Sequence, residues 1–88
     1  EDILITQIND KITDINGITI KGVKVLCTNC IDESSTVTDS TGLFTLKMKY
    51  KKSSNPLQVV EICFIHLEKR KCISQNVREL HSIPLPRF

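Results

Sequence analysis

An all-β sandwich of seven short strands, stapled by two disulfides, is the fold predicted by this 88-residue chain. Three observations predict it. Alternating or β-branched apolar runs recur about every ten residues, with turn residues between them. No amphipathic helical period competes with them, and Val77 to His81 offers at most one turn. Four cysteines, an even number in so short a chain, mark an oxidised framework.

The elements follow in order. Ile3 to Ile8 alternates Ile, Leu and Thr and reads as the first strand. Asp14-Ile15-Asn16-Gly17 carries the Asn-Gly pair that tolerates positive φ in a tight turn. Ile18–Ile20 is short and extended. Gly22 opens a strand over Val23–Cys27, with Val23, Val25 and Cys27 on one face. Residues 28–33 form a loop, and Ser34 to Thr38 is a polar, β-branched strand suited to a sheet edge. Asp39-Ser40-Thr41-Gly42 is a four-residue turn with Asp first and Gly last.

From Leu43 to Tyr50 the alternation is clean. Phe44, Leu46, Met48 and Tyr50 point one way; Thr45, Lys47 and Lys49 point the other. Residues 51–56 are a solvated loop. Val59 to Leu67 is the longest apolar run and the expected central strand, with Val59, Cys63, Ile65 and Leu67 on the inward face. After the charged turn at 68–71, strand signals return around Cys72-Ile73 and from Leu80 to Ile83. Pro84 and Pro86 then confine the tail to an edge.

A chain of this length accommodates one domain, residues 1–88, with a limited core that disulfides would supplement. No stretch approaches 18 apolar residues, so no membrane span is expected. No Asn-x-Ser/Thr sequon occurs. The first residues lack an initiator Met and a basic, then apolar, leader. They read as a mature or cut start, compatible with a removed signal peptide. The net charge of +2 conceals an asymmetry: residues 1–46 carry three basic and seven acidic side chains, residues 47–88 nine basic and three acidic. Near-neutrality argues against a dedicated nucleic-acid binder, while the halves allow opposed charged patches.

Four cysteines allow three pairings. Cys27–Cys30 would close a very small loop. The inward phase of Cys27 and Cys63 favours Cys27–Cys63 with Cys30–Cys72, a staple between packed sheets. Each of those loops, near 40 residues, is worth roughly 4 kcal/mol by chain entropy.

Two segments carry a resemblance. Asp14 to Val25, with its Asp-x-x-Gly and Gly-Val turns, and Thr38 to Leu46, with Thr-Asp-x-x-Gly-x-Phe, resemble the transthyretin-like and carboxypeptidase-regulatory-like Greek-key sandwich. With Cys27, the run Cys63-Phe-Ile-His-Leu and Cys72, the chain is similar to the olive pollen allergen family of plant secreted proteins over roughly residues 13–86. The resemblance implies that Cys27 pairs with Cys63. That family carries six cysteines, with a pair in the first strand that is missing here; Cys30 would replace the absent partner of Cys72.

Cys27-Thr28-Asn29-Cys30 is better read as structural than as a redox or zinc motif. A redox pair belongs at a helix N-terminus, and Cys63 and Cys72 are too widely spaced for the second half of a zinc site. His66 and His81 read as polar surface residues. Transthyretin-like hydrolases end in Tyr-Arg-Gly-Ser, whereas this chain ends Pro-Leu-Pro-Arg-Phe, so no enzymatic activity and no cofactor are expected.

The remaining candidate is a basic face: Lys47, Lys49, Lys51 and Lys52, joined by Lys69, Arg70 and Lys71 if the charged turn folds nearby. Such a face would hold a polyanion. Acidic polysaccharide fits a cell-wall family, while nucleic acid would need interleaved aromatics. The plain alternative is that these lysines keep a sheet edge soluble. The expected protein is secreted, extracellular and non-enzymatic, binding acidic polysaccharide, a glycoprotein or a cell-surface receptor. The rival is an accessory module of a larger secreted or membrane-anchored protein.

Overall fold

The computed structural model describes residues 2–32 and 34–88; Glu1 and Glu33, expected in the leading segment and in the loop before Ser34, lie outside them. The cleanest alternation in the chain is also its most regular strand. Leu43–Lys51 forms β4, with Phe44, Leu46, Met48 and Tyr50 buried and Thr45, Lys47, Lys49 and Lys51 exposed. Its antiparallel partner is β1, Ile3–Lys11, in register from Ile3 opposite Lys51 to Lys11 opposite Leu43. These two strands make one sheet. The second has the order β3-β2-β5-β6, built from β2 (Lys24–Cys27), β3 (Ser34–Val37), β5 (Val59–His66) and β6 (Lys69–Asn76), all antiparallel.

The fold is therefore all-β in two sheets, with six strands among the described residues. Two expected extended segments are reduced. Ile18–Ile20 contributes a single bridge, Thr19 to Thr13. Leu80–Ile83 is turn and coil after a 3-10 turn at Val77–Glu79, and Leu80 is buried in the core. The tail keeps to an edge: Arg87 pairs in parallel with Thr13, whose carbonyl oxygen accepts from the Phe88 N–H at 3.1 Å.

The core lies between the sheets. β4 directs its inner row against Val25, Val60, Ile62 and Phe64, and the rings of Phe44 and Phe64 meet edge to face at 6.3 Å. This corrects the expected phase of β5. Val60, Ile62 and Phe64 are the inward residues, while Val59 and Leu67 are exposed. The run is apolar on both faces, so alternation could not choose between them, and a one-residue slip inverts a strand.

The register also overturns the expected bridges. β2 and β5 are neighbours in the same sheet, where directly opposite residues share a face. Cys27 lies opposite Ile62 on the inner face, and Cys63 opposite Leu26 on the outer one. Cys27 and Cys63 thus point to opposite sides and cannot meet. The bridges are Cys27–Cys30, across the loop leaving β2, and Cys63–Cys72, between directly opposite residues of β5 and β6. Neither joins the two sheets.

Two turns repeat one design. In each, a carboxylate accepts from the N–H groups two and four residues on: Asp14 from Asn16 and Ile18, Asp39 from Thr41 and Leu43. The glycine N–H closes each turn on the Asp carbonyl oxygen, and Gly17 and Gly42 have φ of 83° and 77°. At Gly42 a Cβ would also lie 2.8 Å from the Ile12 carbonyl oxygen, so this turn accepts no side chain. The bonds from Thr41, through its hydroxyl and its N–H, and from the Leu43 N–H hold the Asp39 carboxyl below its usual range. Between the turns, buried Thr38 accepts from the Val23 N–H at 2.9 Å and donates to the Ile20 carbonyl at 2.7 Å.

Three outcomes are expected. Phe44→Ala costs about 3–5 kcal/mol in urea unfolding, and Lys47→Ala less than about 0.5 kcal/mol; the reverse order would mean that β4 presents its other face inward. Non-reducing peptide mapping yields Cys27–Cys30 and Cys63–Cys72, and removing the second bridge by double Ala substitution costs roughly 2–3 kcal/mol, for a loop of about ten residues. Finally, the ionised Asp39 stabilises the fold fully above the ordinary aspartate value of about 3.9, and this contribution fades as pH falls through the lower folded-state value. The stability gap between parent and Asp39→Asn, followed by acid titration, accordingly stays constant above pH of about 4 and narrows below it.

Candidate functional site

The outer row of β4 meets polar strand β3 at the junction of the two sheets. Along it runs a shallow groove. One section, of about 560 Å³, is lined by Ile5, Gln7, Ser34, Lys47 and Lys49. The next, of about 310 Å³, shares Ser34 and Lys47 and adds Ser35, Thr36 and Thr45. Two ammonium groups, four hydroxyls, an amide and an aliphatic surface thus border one channel.

The sequence builds this groove in identifiable steps. Strict alternation on β4 sends Lys47 and Lys49 outward, and the register sets Gln7 and Ile5 of β1 directly beside them. The Cys27–Cys30 bridge turns the chain as it leaves β2. Asn29 anchors that turn on β5, accepting from the Glu61 N–H at 2.8 Å and donating to the Val59 carbonyl at 3.3 Å. The Ile31 N–H then reaches the Lys49 carbonyl at 2.9 Å, and the Asp32 carboxylate stands 3.5 Å from the Lys49 ammonium. Both members of that pair are about half exposed, so it is worth no more than about 1 kcal/mol and opens readily to a competing anion. Thr45 donates to Asn9 at 2.6 Å, fixing its hydroxyl at the groove wall.

The basic residues selected from sequence do not form one face. Lys47 and Lys49 share the groove; Lys51 continues their row opposite Ile3, and Lys52 follows the strand end, its N–H bonded to the Asp2 carbonyl. Lys69, Arg70 and Lys71 stand on β6, at the far edge of the other sheet. Arg70 lies on the outer face, its Nη2 3.5 Å from Cys63 Sγ. Lys71 donates to the Arg87 carbonyl at 2.8 Å and sits over the Phe88 ring, 5.2 Å from its centroid. Sequence reasoning missed the hydroxyl wall, although the polar, β-branched composition of Ser34–Val37 was its signal.

A second cleft, of about 780 Å³, lies at the β5–β6 hairpin, lined by Asp14, Ile20, His66, Leu67, Glu68, Lys69 and Phe88. Its chemistry is poor. The His66 ring packs edge-on against Phe88 at 5.8 Å, and the Asp14 carboxylate is committed to its turn. Glu61, Cys63 and Cys72 place ligand atoms within 4.8 Å of one another, but both sulfurs belong to a disulfide and offer no thiolate to a metal. No helix among the described residues is long and apolar enough to cross a membrane. Comparisons of the chain with protein-family models, with curated proteins and with solved structures find no match. The chemistry of the β3–β4 groove is what points to function.

Proposed function

We propose that this chain is a secreted, non-enzymatic binding protein that takes an acidic polysaccharide along the β3–β4 groove. The observation that carries the reading is the pairing of Lys47 and Lys49 with the hydroxyls of Ser34, Ser35, Thr36 and Thr45 along one channel. Ammonium groups answer carboxylates, and hydroxyls and the Gln7 amide answer the many hydroxyls of a sugar chain. An open, elongated groove suits a polymer better than a small molecule. Two disulfides fit an oxidising, extracellular setting. The arrangement of two antiparallel sheets supports reading the fold as a Greek-key sandwich of the transthyretin-like kind, as in the olive pollen allergen family.

Titration with de-esterified pectin and with a neutral glucan tests the proposal. The acidic polymer binds, the neutral one does not, and affinity falls steeply as salt shortens the screening length below about 8 Å. Lys47→Gln with Lys49→Gln abolishes most of the binding, whereas Asp32→Asn strengthens it by releasing Lys49 from its carboxylate. Equal affinity for both polymers, or indifference to these substitutions, would sink the reading.

A further inference from the structure

The edge strands β1 and β6 differ in kind. At β6 the strand opens with Lys69, Arg70 and Lys71, charged residues of the kind that keep an edge from pairing with another chain. At β1 no such guard stands. Ile3 to Asn9 is uncharged and free of proline, with Ile3 54%, Leu4 39% and Ile5 64% exposed. Among the described residues β1 pairs only with β4. The tail shields just its far end, where Arg87 and Phe88 meet Thr13.

Hydrogen-bond parity shows what fits this edge. The Lys52 N–H donates to the Asp2 carbonyl and the Ile12 N–H to the Gly42 carbonyl, on either side of the β1–β4 ladder. Antiparallel bonding alternates along a strand, so the even-numbered residues of β1 carry the bonds to β4. The odd-numbered residues, Ile3, Ile5 and Gln7 among them, turn their N–H and C=O groups outward. Their side chains also lie on the outer face.

We propose that a second copy of this chain pairs here, β1 against β1, about a two-fold axis through Ile5. A two-fold antiparallel pair brings the free groups of both strands together only when its axis passes through a residue of β1 rather than between two, because only then do odd-numbered residues face odd-numbered ones. An axis at Ile5 keeps the contact on the bare half of the strand, away from the tail. Ile5 then faces its own symmetry mate, Ile3 faces Gln7, and partly exposed Leu4 faces Thr6. Within the paired segment, Ile3 to Gln7, there is no charged side chain. The β4 strands of the two copies stand three spacings apart, about 14 Å at 4.8 Å each, so their lysine rows lie beyond the screening length of about 8 Å. The two-fold contact is closed: each copy's Ile3–Gln7 edge is taken up by its mate, so the assembly stops at a dimer.

Sedimentation velocity of the chain without polysaccharide tests this, independently of the binding proposal. The parent forms a concentration-dependent dimer. Ile5→Lys raises its dissociation constant at least tenfold, while Ile5→Val and the control Val37→Lys, at another exposed apolar position, leave it unchanged. Cross-linking reads the register: Ile5→Cys links two copies through position 5, where paired Cα atoms lie about 5.5 Å apart. Gln7→Cys does not, because the two copies of that position are offset by four residues, about 13 Å. A parent that stays monomeric at high micromolar concentration overturns the proposal, as does a dimer indifferent to Ile5→Lys or equal linkage at position 7.

Discussion

The row of side chains that β4 directs inward is the contact on which the rest of the structure depends. Phe44, Leu46, Met48 and Tyr50 are the main bond between a two-stranded sheet and a four-stranded one, because neither disulfide crosses the gap. Hydrophobic burial contributes about 25 cal/mol per Å² removed from water, and aromatic side chains supply the largest areas. With no Trp and three Phe, the chain concentrates that area where Phe44 meets Phe64. The same alternation that makes the row apolar inward makes it basic outward. Core and groove are two faces of one strand.

Around that contact the fold is held by local devices. The two Asp-x-x-Gly turns set the entries of the Ile18–Ile20 segment and of β4, and the Thr38 hydroxyl ties the end of β3 to the chain leading into β2 through its bonds to Val23 and Ile20. The disulfides are local as well. Cys63–Cys72 clamps neighbouring strands on the outer face, covered by Arg70, while Cys27–Cys30 shapes a loop and carries Ile31 and Asp32 onto β4. The smaller bridge thus works chiefly as a positioning device for the groove, which its short loop, constraining little chain entropy, would not have indicated.

Charge is distributed in keeping with this division. Lys49 is tempered by the Asp32 carboxylate across a partly exposed gap that an anion can enter. The basic residues of β6 serve other ends: Arg70 lies against a disulfide, and Lys71 secures the tail through the Arg87 carbonyl and the Phe88 ring. Similar residue types therefore stand in one place as a solvated row and act in another as structural clasps.

Residues of a single strand were the most legible from sequence. The inner and outer rows of β4, the Asp39–Gly42 and Asp14–Gly17 turns, the inward phase of Cys27 and the edge position of the tail all follow from period-two alternation and turn chemistry. These are properties of neighbouring residues. What depends on distant residues was not legible. Val59 to Leu67 is apolar on both faces, so only its pairing with β2 turned Phe64 inward and Cys63 outward, and that choice in turn decided every disulfide. The groove likewise joins Ser34 and Thr36 to Lys47 across separate sheets, and the splitting of Lys69–Lys71 from Lys47 and Lys49 rests on strand order. Alternation specifies which residues share a face, but register and sheet order decide which face is buried and which faces meet, because both are set by contacts between segments far apart in the chain.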